Sequence, residues 1–191
     1  RRKNRLPHVA LVGYTNVGKS TLLNRLTDAS VLEEDSLFAS LDPTLRHRRL
    51  PSGRRVIISD SAGFIRRLPK DLVEAFGATL DELEDAVLLI HVADASDPKS
   101  LERIEAVRDL LRSLGRSDIR ELLVFNKIDA LEDLDAFRPL AKSMGAVPLL
   151  ISAKESELSP LVERVEALLD ELCPDWGSSE EWESGEHLPS E

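Results

Sequence analysis

The sequence predicts an α/β fold: a mostly parallel sheet with one antiparallel edge strand and helices on both faces. Three observations on the 191-residue chain point there. Apolar runs at 9–13, 86–92, 121–125 and 147–151 alternate with helical stretches at 70–84, 98–114, 132–144 and 157–172, which is the rhythm of βαβ units. Two further strand-like runs, 45–50 and 55–60, flank Pro51-Ser52-Gly53 and read as a hairpin, the source of the antiparallel pair. Polar or glycine-bearing turns follow the carboxyl ends of these runs, where sheets of this kind bind their ligands.

The first run, VALVG, ends in Gly13. A polar turn follows, then Leu22, Leu23 and Leu26 at helical spacing, so the order is strand, loop and helix start. Within the turn, Gly13-Tyr14-Thr15-Asn16-Val17-Gly18-Lys19-Ser20 fits G-x-x-x-x-G-K-[ST], with Thr21 next in the helix. Glycines let backbone N–H groups curl around a phosphate, the Lys19 ammonium neutralises β and γ oxygens, and the Ser20 hydroxyl is a ligand for Mg²⁺. The motif opens a helix directly after a strand, so the chain reads as a P-loop NTPase.

Between the first helix and the hairpin lies Phe38-Ala39-Ser40-Leu41-Asp42-Pro43-Thr44, the place for a hydroxyl that completes the magnesium shell. Ser40 and Thr44 both qualify, and spacing does not separate them. The hairpin's second strand ends in Asp60-Ser61-Ala62-Gly63. Here the carboxylate reaches Mg²⁺ through water, and the Gly63 N–H bonds the γ-phosphate and lets go when it is lost.

Two motifs at later strand ends choose the base. Asn126-Lys127-Ile128-Asp129 offers a carboxylate that accepts from N1–H and the 2-amino group of guanine, a donor pair adenine lacks, while the Lys127 stem covers the base face. Ser152-Ala153-Lys154 adds a backbone N–H for guanine O6. Each motif alone is common, N-K-x-D being often a helix start with a capping Asp. In this order, each at a strand end, they select GTP or GDP over ATP.

Composition bounds the rest. A 42% apolar content fills one core, and the net charge of −10 argues against a chain that coats nucleic acid by charge alone. Asp175, Glu180, Glu181, Glu183, Glu186 and Glu191 account for more than half of that charge. Residues 174–191 are Ser/Gly/Glu-rich and are expected to form a disordered acidic tail with Trp176 and Trp182 exposed. Residues 6–173 are then the nucleotide-binding domain. Lone Cys173 forms no internal disulfide. No run is long and apolar enough to span a membrane and no signal peptide precedes the first strand, so a cytoplasmic monomer is expected. The only methionine is Met144, and the chain reads as a piece of a longer protein.

GYTNVGKSTLLNRL, LFASLDPTLRHRRLPSG, ISDSAGFIRRLPKDLVEAFGATLDEL, NKID and SAK together resemble the G domain of HflX, a GTPase family of the Obg–HflX group. The resemblance covers about residue 5 to 172. It implies GTP hydrolysis with Mg²⁺, and it favours Ser40, where relatives carry Thr in F-A-T-L-D-P, over Thr44 as the switch I magnesium ligand. Ser61-Ala62 departs from the family's usual Thr-Val. The family's N-terminal domain, joined through a basic helical segment, helps bind the large ribosomal subunit, and bacterial members split stalled ribosomes under stress. Residues 1–5 would be the stump of that segment. An Era- or Obg-like assembly GTPase and a nucleotide-gated binding module with negligible turnover remain as alternatives.

Lys19, Ser40 and Gly63 are thus the candidate catalytic groups, and Ser20, Ser40 and Asp60 the candidate metal ligands. Many small GTPases place a water-orienting Gln after D-x-x-G, but here that position is Phe64, so slow intrinsic hydrolysis is expected. Acceleration would come from a ribosomal surface or from a monovalent cation. Asn16 occupies the loop position at which Era and TrmE, which this loop resembles, use K⁺. It is equally readable as a loop-stabilising side chain. His8, His47 and His91 read as structural.

Overall fold

A computed structural model describes residues 6–31, 45–60, 83, 85–144 and 147–176, with 28–31 described in backbone only. Among these, six strands and four helices follow in the order β1 (His8–Val12), α1 (Lys19–Val31), β2 (Leu45–Arg49), β3 (Arg55–Asp60), β4 (Ala86–Asp94), α2 (Ser100–Ser113), β5 (Arg120–Asn126), α3 (Leu134–Ser143), β6 (Leu149–Leu150) and α4 (Ser159–Leu172). The sheet order is β2-β3-β1-β4-β5-β6. β2 and β3 are antiparallel, with Arg46 opposite Ile58, and every other pair is parallel. The expected architecture is borne out. The helix expected at 70–84 falls almost wholly outside the described residues.

Side chains alternate across the central strands because the strand period is two. Val9, Leu11, Leu88, Ile90 and Val92 pack on one face with Leu22 and Leu26 of α1 and Leu161, Val165 and Leu168 of α4. Ala10, Val12 and Leu89 face the other way, against Val107 and Leu111 of α2. Ala93, Leu123 and Phe125 continue that second layer toward Ala141 of α3. Burial on both faces explains why the central strands read as unbroken apolar runs. β1 lies where the order reverses, since β3 flanks it on one side and β4 on the other. The loop that leaves β1 therefore opens into the crevice at the carboxyl edge.

β6 has two residues where a run of five is expected. Val147 is 77% exposed, and Pro148 has no N–H for a ladder. The chain joins the sheet only at Leu149 and leaves again as Ile151 N donates to Phe125 O at 2.8 Å. The histidines are structural where buried. His8 Nε2 is 2.8 Å from Ser59 Oγ, and His91 Nδ1 is 2.5 Å from Glu121 Oε1, whose carboxylate also accepts from Arg108.

The tail expectation fails at its start. Pro174, Asp175 and Trp176 continue past α4 as a turn, and the Trp176 ring packs against the α1/α4 layer. The Arg54 guanidinium lies 4.3 Å from the ring centroid, and the indole N–H donates to Asp170 Oδ1 at 3.1 Å. Arg54 in turn pairs with Asp170 at 2.6 Å and Glu166 at 3.3 Å, so the hairpin turn is fastened to α4. An aromatic ring beside a cation and an apolar layer outweighs the polar composition that suggested disorder. Trp182 lies outside the described residues. Trp176→Ala is expected to cost about 1–2 kcal/mol and lower the melting temperature by about 2–8 °C. A calorimetric scan that shifts by less than about 1 °C would mean the ring does not dock.

Candidate functional site

All the described motif residues meet at the carboxyl edge of the sheet. The phosphate loop depends on backbone conformations that glycine permits. Gly13 has φ +152°, and a Cβ there would sit 2.2 Å from Val92 O of the neighbouring strand. Gly18 has φ +97°, and a Cβ there would sit 2.3 Å from Asn126 Nδ2. Asn16, at φ +61°, turns the loop in the left-handed region that Asn tolerates among non-glycine residues. Val17 is buried and anchors the loop in the core, whereas Tyr14 and Thr15 are half-buried. The Arg103 guanidinium lies 4.8 Å from the Tyr14 ring centroid.

Lys19 Nζ donates to Gly13 O at 3.0 Å and Tyr14 O at 2.9 Å, which holds the ammonium across the loop. Burial pushes its pKa down, and the charge of Asp60 opposes that shift. Ser20 Oγ donates to Asp60 Oδ2 at 2.9 Å. Asp60 is 5% exposed at the end of β3, and its Oδ1 has no hydrogen-bond partner among the described residues. A buried carboxylate oxygen without a donor is costly. A hydroxyl and that oxygen side by side form the hard donor pair that Mg²⁺ takes, so the residues fit the metal.

At the end of β5, Asn126 is 2% exposed and bonds protein at both ends of its amide. Nδ2 donates to Val17 O at 2.8 Å and Oδ1 accepts from Ala153 N at 2.7 Å. It therefore clamps the phosphate loop to the 152–154 turn. Lys127, at φ +65°, sends Nζ to Asn16 O at 2.7 Å and Asp94 Oδ2 at 2.6 Å. Ile128, Asp129 and Ala130 form a short 3-10 turn in which Asp129 is exposed. The Asp129 carboxylate carries no hydrogen bond among the described residues, and its two oxygens are available as acceptors.

In the 152–154 turn, the Ser152 amide donates to Ser156 Oγ at 2.8 Å and the Ala153 amide to Asn126. The amide of Lys154 is the one without such a partner among the described residues. The expected contact of this turn with guanine O6 thus has a different N–H available from the one bonded to Asn126.

Three supporting residues belong to none of the sequence motifs. Asp94, at the carboxyl end of β4, anchors Lys127. Burial works against its charge, but hydrogen bonds from Lys127 and Ser96 win and hold its pKa below the usual carboxylate range. Its place at a strand end is a usable signal in the sequence. Arg25 of α1 donates to Ala153 O at 2.9 Å and Ser156 O at 3.0 Å. Ser156 caps the same turn, and no local pattern marks either residue. Thr21 is exposed at the start of α1. The candidates Phe38, Ala39, Ser40, Leu41, Asp42, Thr44, Ser61, Ala62, Gly63 and Phe64 lie outside the described residues.

A strand-to-helix phosphate loop, a buried carboxylate beside a hydroxyl and the unspent carboxylate that ends N-K-x-D define the chain as a GTPase domain of the P-loop class. The chain belongs to the 50S ribosome-binding GTPase family, whose model matches residues 8–127. It is 56% identical over 132 residues to a GTPase HflX of Caldanaerobacter subterraneus subsp. tengcongensis, covering 69% of this chain and 31% of that protein. The GTPase HflX of Escherichia coli K12 is 53% identical over 135 residues, 71% of this chain and 32% of that one. The expected resemblance to HflX is borne out, and the chain spans about a third of the length of these relatives. Among solved structures, a GTP-binding protein of Sulfolobus solfataricus in complex with GDP superposes with TM-score 0.69 at 29% identity, over 87% of this chain and 53% of that one. No helix among the described residues is long and apolar enough to cross a membrane.

Proposed function

We propose that the chain is the guanine-nucleotide module of an HflX-like protein that hydrolyses GTP in the cytoplasm and associates with the large ribosomal subunit, the module itself being a monomer. The observation that carries the guanine reading is Asp129, an exposed and unspent carboxylate whose neighbour Lys127 is tied to the phosphate loop. The loop amides of residues 13–18 and Lys19 bind the phosphates, and Ser20, Asp60 and Ser40 would hold Mg²⁺. When bound, that ion would supply charge neutralisation to the phosphates beside Lys19. Gly63 N–H reports the γ-phosphate, and residues 1–5 connect to the preceding ribosome-binding part.

Phe64 supplies no hydrogen bond to the attacking water, so unaided turnover is slow. We assign the acceleration to the subunit, with a second contribution from K⁺ at Asn16, whose side chain is exposed at the loop. Phosphate release is to be measured with and without large subunits, in KCl and in NaCl. The expected result is a subunit stimulation of about tenfold or more, on the low side of what a supplied transition-state group gives. Absence of stimulation would remove the ribosomal role and leave the nucleotide-gated binding module that Phe64 also suits. Equal rates in the two salts would remove the cation.

A further inference from the structure

Arg25 lies six residues beyond Lys19 on α1, a rise of about 9 Å along the helix. Its guanidinium is half-buried, and one nitrogen, Nη1, donates both to Ala153 O at 2.9 Å and to Ser156 O at 3.0 Å. None of the nucleotide motifs includes this residue, and neither phosphate binding nor base recognition as described above makes use of it.

The turn that Arg25 touches is closed by other bonds. Ser152 N–H donates to Ser156 Oγ at 2.8 Å, Ser156 N–H to Ser152 O at 2.9 Å and Ala153 N–H to Asn126 Oδ1 at 2.7 Å. The peptide unit that joins Ala153 to Lys154 takes no part in this closure. Its carbonyl accepts from Arg25, and its N–H has no hydrogen-bond partner among the described residues. That unit is trans, as every described peptide is, and planar, so its C=O and its N–H point in opposite directions. Holding the oxygen therefore fixes where the free N–H is aimed. A bond from a cation to the carbonyl also polarises the peptide and strengthens its N–H as a donor.

We propose that Arg25 is a positioning residue for base recognition: by holding Ala153 O it aims the Lys154 N–H at guanine O6. That role rests on the reading of guanine at the 152–154 turn. The Ala153 N–H is spent on Asn126, so O6 is left to one amide, and its direction is set from outside the turn. Lys19, which meets the phosphates, and Arg25, which aims the amide, ride on one helix, so α1 itself holds the spacing between the two ends of the nucleotide. A brace for the turn alone would stabilise the fold without distinguishing one base from another, and that difference can be measured.

The test uses the 191-residue chain and calorimetric titration of GDP and two analogues. In 6-thio-GDP a weakly accepting sulfur replaces O6, whereas inosine diphosphate keeps O6 and lacks the 2-amino group. Wild type is expected to bind GDP about fivefold or more tightly than 6-thio-GDP, the worth of one hydrogen bond to a neutral acceptor. R25M keeps an apolar stem and removes the donor. It should weaken GDP and inosine diphosphate about fivefold each and leave 6-thio-GDP within about twofold, so that discrimination between oxygen and sulfur falls to about twofold or less. R25Q, with a neutral and shorter donor, should fall between R25M and wild type. Melting temperature checks folding, and R25Q decides the matter where R25M does not fold. Loss of the same factor from all three nucleotides would overturn the inference by making Arg25 a brace alone. Wild-type discrimination in R25M, or in R25Q where R25M does not fold, would overturn it as well. A wild-type chain that binds GDP and 6-thio-GDP equally would remove the O6 contact and the role of Arg25 with it, while a loss of GDP affinity in D129N would still uphold guanine reading by Asp129.

Discussion

Asp129→Asn is expected to weaken GDP binding by about two to three orders of magnitude without lowering the melting temperature. The carboxylate accepts from N1–H and from the 2-amino group, and each such charge-assisted bond is worth about 1.5–3 kcal/mol. At 1.4 kcal/mol per decade, loss of most of that pair gives the stated range. Asn keeps one acceptor but turns an amide N–H₂ toward the 2-amino group, donor against donor. Xanthine carries a carbonyl at that position, so the same variant should bind xanthosine diphosphate more tightly than GDP. Calorimetric titration with GDP, xanthosine diphosphate and ADP reads all three affinities. Stability is spared because the side chain is exposed and unbonded among the described residues. A GDP affinity that moves by less than about threefold would mean that another group reads the base.

Most of the fold is legible in the sequence because the sheet is parallel and covered on both faces. β4 is apolar over nearly its whole length for that reason, and a run of that kind between helical stretches is seldom anything but a buried strand. The phosphate loop is legible because Gly13 and Gly18 answer steric limits set by Val92 O and Asn126 Nδ2, which any loop of this shape would meet. What escapes the sequence depends on contacts between distant segments. Trp176 sits in a stretch whose composition says tail, and its partner Arg54 lies in the hairpin. Arg25 looks like one more surface cation of α1, yet it braces a turn on the other side of the loop. Asn126 reads as part of a base-recognition motif, and the residue type fits that motif. Its two bonds, to Val17 O and Ala153 N, give it the work of a clamp, and no spacing rule distinguishes a side chain that reads a ligand from one that positions the reader.

That clamp supplies the second large effect. Asn126→Ala removes two buried hydrogen bonds and strands their partners, Val17 O and Ala153 N–H, at roughly 1–3 kcal/mol each. A loss of about 2–5 kcal/mol and a fall in melting temperature of about 5–15 °C are expected. GDP affinity should fall with it, since the phosphate loop and the 152–154 turn lose their common anchor. Gly18 gives a way to tell clamp from mere core loss. Gly18→Ala places a Cβ 2.3 Å from Asn126 Nδ2, and it also strains a backbone at φ +97°. With Asn126 already truncated the clash is gone and only the strain is left. The two substitutions should therefore cost less together than the sum of their separate costs, by about 1 kcal/mol or more in a double-mutant cycle. Strict additivity in denaturant unfolding would mean that Asn126 and the phosphate loop do not meet as described, and the guanine-reading role of residues 126–129 would then have to stand without its link to the phosphates.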